Sequence, residues 1–396
     1  MLSSQVPRVA IVEGGNLGSV GGMGQTTPPM LNELQRLLGS RCQVVSTDGR
    51  QVRELEPATL TLPMIDRLRR RLIRESQERF PIPVLRWLAG EFDVYCHIGL
   101  SLRPRVPYER LVLAIFDLAG MRWSDEARLP GWTATVAHRA ARVLTISEFS
   151  KGELCREFDI PEERVAVTYC GCDHDRFHPL PMPGDAARVA SAAERSDAPY
   201  VLVSGGLTQR KNVRRMLEAF ARYSSISGFS PRLIVTGVQR DSVVGAGYVE
   251  LARQLGVGRE VLLPGYVPDQ VMPSLYRRAA AVLVPSLYEG FGLPILEGMA
   301  SGSPVLTSNA ASLPEVAGDA ALSVDATSVD ALADGLARIL TDEPLRATLR
   351  TRGIERAATF TWQRCAQQTI AVYQDVAARA DERSRQRRGI RARLSR

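Results

Sequence analysis

Along the chain, short β-branched apolar runs alternate with longer segments whose apolar positions recur every three or four residues. In the first half the runs are "RVAIV" (8–12), "CQVVS" (42–46), "DVYCHI" (93–98), "LVLAIF" (111–116), "RVLTI" (142–146) and "RVAVTY" (164–169). None has the in–out alternation of a strand with one wet face, so each reads as a strand covered on both faces of a parallel sheet. Segments such as "PMLNELQRLLG" (29–39), closing on Gly39, read as the covering helices. The rhythm lapses at "HPLPMPGDAARVASAAERSDAP" (178–199), rich in Pro, Ala and small polar residues. It restarts with "YVLVSG" (200–205), "PRLIVTG" (231–237), "EVLLPG" (260–265), "AAVLVPS" (280–286) and "SPVLTS" (303–308). Two successive βα series predict an α/β protein of two doubly wound, Rossmann-like domains facing across a cleft. The expected boundaries are a first domain at 1–178, a linker at 179–199 and a second domain at 200–360. A C-terminal helix at 361–382 follows, with a return to the first domain open to it, and then a basic, unstructured tail at 383–396. Ligands of such sheets bind beyond the carboxyl ends of the strands, so the strand-terminal loops carry the chemistry.

Composition narrows the class. A chain of 396 residues, 45% hydrophobic and 23% charged, is an ordinary globular protein too long for one core. No run is long and apolar enough to span a bilayer, and "MLSSQVPRVAIV" lacks the regions of a signal peptide, so a cytoplasmic location is expected. Cys42, Cys96, Cys155, Cys170, Cys172 and Cys365 are scattered without a Cys-x-x-Cys pair, which argues against a zinc site or a disulfide framework. The net charge of +7 arises from "RSRQRRGIRARLSR" (383–396), and the balanced remainder implies no groove for nucleic acid. Of 50 basic residues only Lys151 and Lys211 are lysine, a bias that makes each worth locating.

Three strand ends carry candidate chemistry. After the first strand, Gly21, Gly22 and Gly24 let the backbone approach an anion, although a plain flexible turn fits equally; no Walker lysine follows. In "VLVSGGLTQRKNVRRMLEAF" a glycine turn leads to Arg210-Lys211-Asn212 at the start of a helix. Two cations there oppose the helix dipole, which suits a clamp on a diphosphate better than a solvated first turn. In "LYEGFGLPILEGMA" (287–300), Glu289 falls in a loop and Glu297 in the following helix, with the glycines and a proline between them. Two carboxylates around a backbone that leaves room for a ligand suit the hydroxyls of an elongated polyol.

These segments together resemble the retaining glycosyltransferases of family 4, which have the GT-B fold. The resemblance runs through "GGLTQRKN", "LLPGYVPD", "VPSLYEGFGLPILEGMASGSPVLTSNAASLPEVAGDAAL" and "FTWQRCAQQTIAVY", and more loosely through "GGMGQTT", "SEFSK" and "GCDHDRFHP". It implies a retaining, metal-independent hexosyltransferase with no cofactor. The first domain would take the acceptor and the second a nucleotide-diphosphate sugar. Arg210 and Lys211 would neutralise the departing diphosphate. Glu289 would hold the donor hexose and Glu297 the ribose, with the backbone of Phe291, Gly292 and Leu293 lining sugar and phosphates and Gly22 and Gly24 on the donor side. Similarity to bacterial mannosyl- and rhamnosyltransferases of polysaccharide assembly favours GDP-mannose and a saccharide or lipid-linked acceptor. UDP- or dTDP-sugars with a small-molecule acceptor, and a nucleotide-sugar-binding protein without turnover, are the alternatives. A phosphorylase would need pyridoxal phosphate on Lys211, and an epimerase would not need the two-glutamate loop.

One position departs from the family. Where many relatives carry His-Asp, this chain has Phe116-Asp117 in "IFDL", so Asp117 keeps its register and the imidazole is missing. His97 either supplies part of that role or is structural. In "CDHD" (172–175), Asp173 and Asp175 read as turn residues rather than metal ligands. Ser150 and Glu153 have capping-box spacing. The segment "MIDRLRRRLIRESQERF" (64–80) reads as a basic amphipathic surface helix; with the arginine tail it offers peripheral contact with an anionic membrane as an alternative role.

Overall fold

The computed structural model describes residues 7–13, 22–47, 52–54, 92–98, 106–192, 198–227, 231–239 and 242–394. The chain divides into two compact units. One comprises Met1–Leu118, Arg128–Gly171 and Trp362–Arg396, the other Ala119–Ala127 and Cys172–Thr361.

The first unit holds β1 (Val9–Glu13), β2 (Cys42–Thr47), β3 (Val52–Glu54), β4 (Val94–Ile98), β5 (Leu111–Ala114), β6 (Arg142–Thr145) and β7 (Val165–Val167). Their order in the sheet is β3-β2-β1-β4-β5-β6-β7, parallel except for the β2–β3 pair. Both faces are covered, which is why the runs read as continuously apolar. Val9 and Ile11 pack with Leu31 and Leu34 of the Gly22–Leu38 helix, while Ala10 and Tyr95 pack on the other face with Val136 and Leu154. The terminal helix, Trp362–Leu394, adds Cys365, Ala366, Tyr373 and Val376 to the first of these layers. It is fastened by Arg142–Asp375 at 2.6 Å and Arg110–Asp381 at 3.0 Å. The expected break between a helix and an unstructured tail at 382/383 is not there. Arg, Gln and Ala are good helix formers, and the helix continues to Leu394 with Arg383, Arg385, Arg387 and Arg388 exposed.

The second unit holds β8 (Tyr200–Val203), β9 (Arg232–Thr236), β10 (Val238–Gln239), β11 (Val261–Gly265), β12 (Ala281–Val284), β13 (Val305–Ser308) and β14 (Leu322–Val324), in the order β10-β11-β9-β8-β12-β13-β14. The β10–β11 pair alone is antiparallel. From β8 the chain builds outward to β9 and β11, then returns to place β12 on the other side of β8. The paired strands β8 and β12 therefore form the topological switch point, where loops diverge and open a crevice at the carboxyl ends. The strands β3, β10 and β14, absent from the sequence reading, are two or three residues long and lie at sheet edges, too short to show a period.

Two local expectations change. Residues 179–199 are not a bare linker, because Asp185–Ala192 is a helix of the second unit. Buried Asp185 accepts two hydrogen bonds of 3.0 Å from Arg277 and one of 2.8 Å from Ser274, so the segment is anchored. The Glu148–Phe158 helix is capped by Ser147, whose hydroxyl accepts from the Ser150 amide at 3.0 Å, and not by Ser150 itself. Lys151 pairs with Glu162 at 3.2 Å, a structural contact. The turn reading of "CDHD" agrees with the backbone, since the amides of Arg176 and Phe177 both donate to the Asp173 carbonyl.

The loops at the switch point depend on glycine where backbones approach closely. Gly237 has φ +95°, and a Cβ there would lie 2.9 Å from the Gly206 nitrogen, a main-chain atom that cannot move aside. Gly256 also has positive φ, +78°, but nothing lies within 4 Å of its would-be Cβ. Gly256→Ala should therefore cost about 1 kcal/mol, the strain of a left-handed residue, and Gly237→Ala distinctly more, about 2–4 kcal/mol. Urea unfolding of the two variants checks the order; equal losses would show that the β8–β9 loops yield to an added methyl.

Candidate active site

At the carboxyl end of β8, Gly205 and Gly206 take φ of +110° and +88°, a turn that side-chain-bearing residues rarely make. The chain then forms the single 3-10 turn Gln209–Lys211 and leaves it through Asn212 in the left-handed region, φ +58°. Asparagine tolerates this conformation, and its buried amide donates to the carbonyls of Pro285 at 3.1 Å and Ala326 at 2.7 Å. Those acceptors belong to the loops after β12 and β14. The Leu287 amide donates back to the Arg210 carbonyl at 2.7 Å. Backbone and amide bonds thus register the Arg210-Lys211 loop against the Glu289 loop before any charge is considered.

The charges complete the register. Glu289 is buried, with Oε1 accepting from Lys211 Nζ at 2.6 Å and Ser286 Oγ at 2.7 Å. Its Oε2 accepts from Arg210 Nη1 at 2.6 Å, and the same Nη1 donates to the Tyr288 carbonyl at 3.2 Å. Ser312 Oγ lies within hydrogen-bonding distance of the carbonyls of Glu289 (2.8 Å) and Phe291 (2.9 Å), which steadies the loop main chain. Burial alone would raise the Glu289 carboxyl, but Lys211 and Arg210 outweigh it and bring the carboxyl down to about 2. Burial likewise opposes the charge on Arg210, and Glu289 and Glu126 overcome it, so its guanidinium is held more firmly protonated than usual. Glu126, from the short Ala119–Ala127 segment of this unit, accepts from Arg210 Nε at 2.5 Å.

The second carboxylate lies in a different field. Glu297 is on the Leu293–Ala300 helix, and burial raises its carboxyl, partly offset by the Tyr276 hydroxyl and Arg176. Burial pushes the phenol of Tyr276 well up, with Glu297 adding to the effect, so the hydroxyl stays neutral beside the carboxylate. The two glutamates, eight residues apart, are thus shifted in opposite directions by different surroundings. Between them Gly292 caps the helix at φ +110°, and a Cβ there would stand 2.7 Å from Leu313 Cδ2. Phe291 is buried edge-on to Phe360 at 5.9 Å. Leu293 opens the helix, and its N-terminal dipole favours a nearby anion.

Of the candidate residues, the second unit brings Arg210, Lys211 and Glu289 into direct contact, with Phe291, Gly292 and Leu293 leading to Glu297. Asp117 and His97 belong to the first unit. Asp117 follows β5, half-buried, and His97 is buried within β4, flanked by Val12 and Leu113 of the neighbouring strands. Phe116 packs against the first core layer, and its carbonyl accepts from Thr145 Oγ1 at 3.2 Å. Gly22 and Gly24 lie in the first turn of the Gly22–Leu38 helix, whereas Gly21 and the 64–80 segment lie outside the described residues. Among the described residues no group of three or more His, Cys, Asp or Glu is arranged to hold a metal, and no helix is long and apolar enough to cross a membrane. Glu126, Ser286 and Tyr276 went unnoticed in the sequence. Ser286, three residues before Glu289, was legible in principle; Glu126, 84 positions from Arg210, was not.

Because the depressed Glu289 pKa lies below its ordinary value of 4.5, the ion network stabilises the fold fully above that value and loses its contribution as pH falls toward about 2. Glu289→Gln should then lower stability at pH 7 by about 3 kcal/mol, since a buried ammonium and a half-buried guanidinium lose their shared partner. The gap from wild type should narrow as pH falls below 4. Thermal melts of both proteins between pH 3 and 7 test this, and a gap that does not change with pH would contradict it.

Comparison with known proteins identifies the family and the fold. Residues 187–356 match the family model of glycosyl transferases group 1. The chain is 37% identical over 236 residues to O-antigen chain mannosyltransferase B of Escherichia coli, a match covering 59% of this chain and 60% of the relative. It is 30% identical over 322 residues to D-inositol 3-phosphate glycosyltransferase of Kribbella flavida, covering 77% of this chain and 73% of that one. Among solved structures, Anabaena HepE in complex with UDP and glucose superposes with a TM-score of 0.68 at 17% identity, covering 92% of this chain and 99% of that one. The two doubly wound sheets are those of the GT-B fold, and the chain belongs to the group 1 glycosyl transferases.

Proposed function

We propose that the protein is a retaining, metal-independent hexosyltransferase of family 4 that uses a nucleotide-diphosphate hexose, GDP-mannose in the first instance. The observation that carries this reading is the contact of Arg210 and Lys211 with Glu289 at the β8–β12 switch point. Two cations on the loop after β8 supply the positive charge that a divalent ion supplies elsewhere to a departing diphosphate. Glu289 orients both, and its Oε2 retains acceptor capacity for a sugar hydroxyl, because a carboxylate oxygen accepts two hydrogen bonds and among the described residues this one has Arg210 alone. Glu297, beside Tyr276, takes the ribose hydroxyls. Phe291, Gly292 and Leu293 line the donor between the two carboxylates, and Gly22 and Gly24 are also assigned to donor binding. Asp117 is assigned to the sugar-transfer step; His97, buried within β4, either serves the acceptor or sugar side or is structural.

With no protein nucleophile assigned, retention follows from attack on the face the leaving group departs from. The acceptor hydroxyl bonds to the anomeric carbon as the carbon–oxygen bond to the diphosphate breaks. The hydroxyl proton passes to the departing phosphate oxygen, and Arg210 and Lys211 stabilise the remaining charge.

The Escherichia coli relative, an O-antigen chain mannosyltransferase, supports mannose as the sugar and a saccharide or lipid-linked saccharide as acceptor in cell-surface polysaccharide synthesis. HepE, solved with UDP and glucose, and the D-inositol 3-phosphate glycosyltransferases support the second reading, a UDP- or dTDP-sugar donor with a small acceptor. Thermal-shift screening across GDP-mannose, UDP-glucose, UDP-N-acetylglucosamine and dTDP-rhamnose, followed by turnover of the stabilising donor, separates these. Binding without turnover would leave a nucleotide-sugar-binding protein. For a lipid-linked acceptor, the exposed arginines from Arg383 to Arg388 offer peripheral attachment to the inner membrane face, each contributing about 1 kcal/mol on an anionic leaflet. Salt-sensitive sedimentation with anionic vesicles, lost on deleting 383–396, would support that attachment.

Lys211→Ala and Arg210→Ala should each reduce kcat about 10²- to 10³-fold. Glu297→Ala should weaken binding of GDP or UDP alone. Glu289→Ala should leave that binding intact or strengthen it, because it releases two cations, while donor turnover falls. Calorimetry with the bare nucleotides distinguishes the glutamates, and equal weakening in both variants would refute their separate roles.

A further inference from the structure

The proposed reaction calls for charge on Arg210, and the structure also shows how its orientation is fixed. Nε donates to Glu126, and Nη1 donates to Glu289 and to the Tyr288 carbonyl. These bonds fix the plane of the guanidinium from two sides, and among the described residues none accepts a hydrogen bond from Nη2. Beside Glu126, Asp125 accepts from the Gln209 amide at 2.7 Å, the first N–H of the 3-10 turn that carries Arg210 and Lys211. Consecutive carboxylates thus hold the turn by its main chain and the arginine by its side chain. Both come from Ala119–Ala127, which belongs to the second unit although the chain on either side of it belongs to the first.

We propose that Glu126 is a positioning residue for the leaving-group clamp. It fixes Nε of Arg210 so that Nη2 is the donor presented to the phosphate, while Asp125 holds the turn underneath. The proposal rests on the donor assignment made above. It explains a feature that charge alone makes costly: a carboxylate beside a guanidinium weakens the attraction of that guanidinium for an anion. Lys211 and Arg210 are already matched one for one by Glu289 and Glu126, so the direction of the clamp's N–H groups matters to its hold on a phosphate alongside its positive charge. Glu126 is suited to the task because an acceptor at Nε leaves the guanidinium terminus unobstructed. The interaction needs the oxygen of Glu126 as acceptor, and glutamine keeps that oxygen.

The test compares Glu126→Ala with Glu126→Gln in the full chain. Without Nε anchored, Glu126→Ala should lower kcat for donor hydrolysis or transfer at least tenfold, whereas affinity for GDP and UDP should hold or rise. Glu126→Gln should recover most of the kcat. Independently of turnover, the Arg210 Nε–H resonance, identified by its loss in Arg210→Lys, should be sharp in wild type and Glu126→Gln and exchange-broadened in Glu126→Ala. If the resonance stays sharp in Glu126→Ala, the positioning role is wrong. If both variants bind nucleotide more tightly with kcat unchanged, Glu126 is an anion competing for the phosphate site, which also overturns the proposal. A wild type that turns over no sugar nucleotide would count against the transferase reading itself, while the resonance comparison would still decide the role of Glu126.

Discussion

The second unit is organised around one buried carboxylate shared by two cations. Glu289 accepts from Lys211 and Arg210 at 2.6 Å each, and the two strands that deliver these residues are hydrogen-bonded neighbours whose loops diverge. A buried ion pair contributes modestly to stability when complete and becomes a serious liability when one partner is missing. That asymmetry constrains everything nearby. The loop after β8 cannot shift without stranding a charge, and neither can the loop after β12. The Asn212 amide, the Leu287–Arg210 backbone bond and Ser286 hold the register that keeps all three charges paired.

Glycine is the counterpart of this rigidity. A Cβ on Gly205 would lie 3.0 Å from Lys211 Nζ, so the ammonium reaches Glu289 by passing over a residue with no side chain. Gly292 lets the chain turn into the helix carrying Glu297, against Leu313. Lysine at 211, in a chain that uses arginine nearly everywhere else, fits the same geometry. A compact ammonium suits the narrow space over Gly205, and a planar fork suits Arg210, which must serve Glu126, Glu289 and Tyr288 together.

Much of this was legible in the amino-acid order because the responsible patterns are local. Strands covered on both faces appear as unbroken apolar runs, and β1, β4, β8 and β12 were readable from them. The turn before Arg210 and the irregular loop around Glu289 announce themselves through glycine and proline. The short edge strands β3, β10 and β14 lacked the length to show a period. The helix at Asp185–Ala192 was hidden because its composition is that of a linker, and what fixes it is tertiary, the buried pair of Asp185 with Arg277. The helical continuation through Arg388 was missed for a different reason. Charge density was read as disorder, whereas arginine is a competent helix former on a helix already anchored by Tyr373 and Val376. Within the site, the residue identities were apparent but their pairing was not. Nothing in the spacing says that Glu289 meets Arg210 and Lys211, since contact between loops 78 residues apart is set by strand order.

The field around the two glutamates differs in a way that fits the separate roles proposed for them. Both carboxyls feel burial, which raises them, and both feel Lys211. Only Glu289 has that ammonium and a guanidinium in direct contact, so it is ionised throughout the physiological range and its charge is spent locally. At Glu297 burial prevails and the carboxyl is raised, because the Tyr276 hydroxyl, Arg176 and Lys211 offset it only in part. A diol is well matched to the second environment, because two hydroxyls donate to a carboxylate that has few competing donors. The first environment neutralises the Glu289 charge with Lys211 and Arg210, which fits the place beside a diphosphate proposed for it. The separation of eight residues, interrupted by glycine and proline, keeps the two fields from averaging into one.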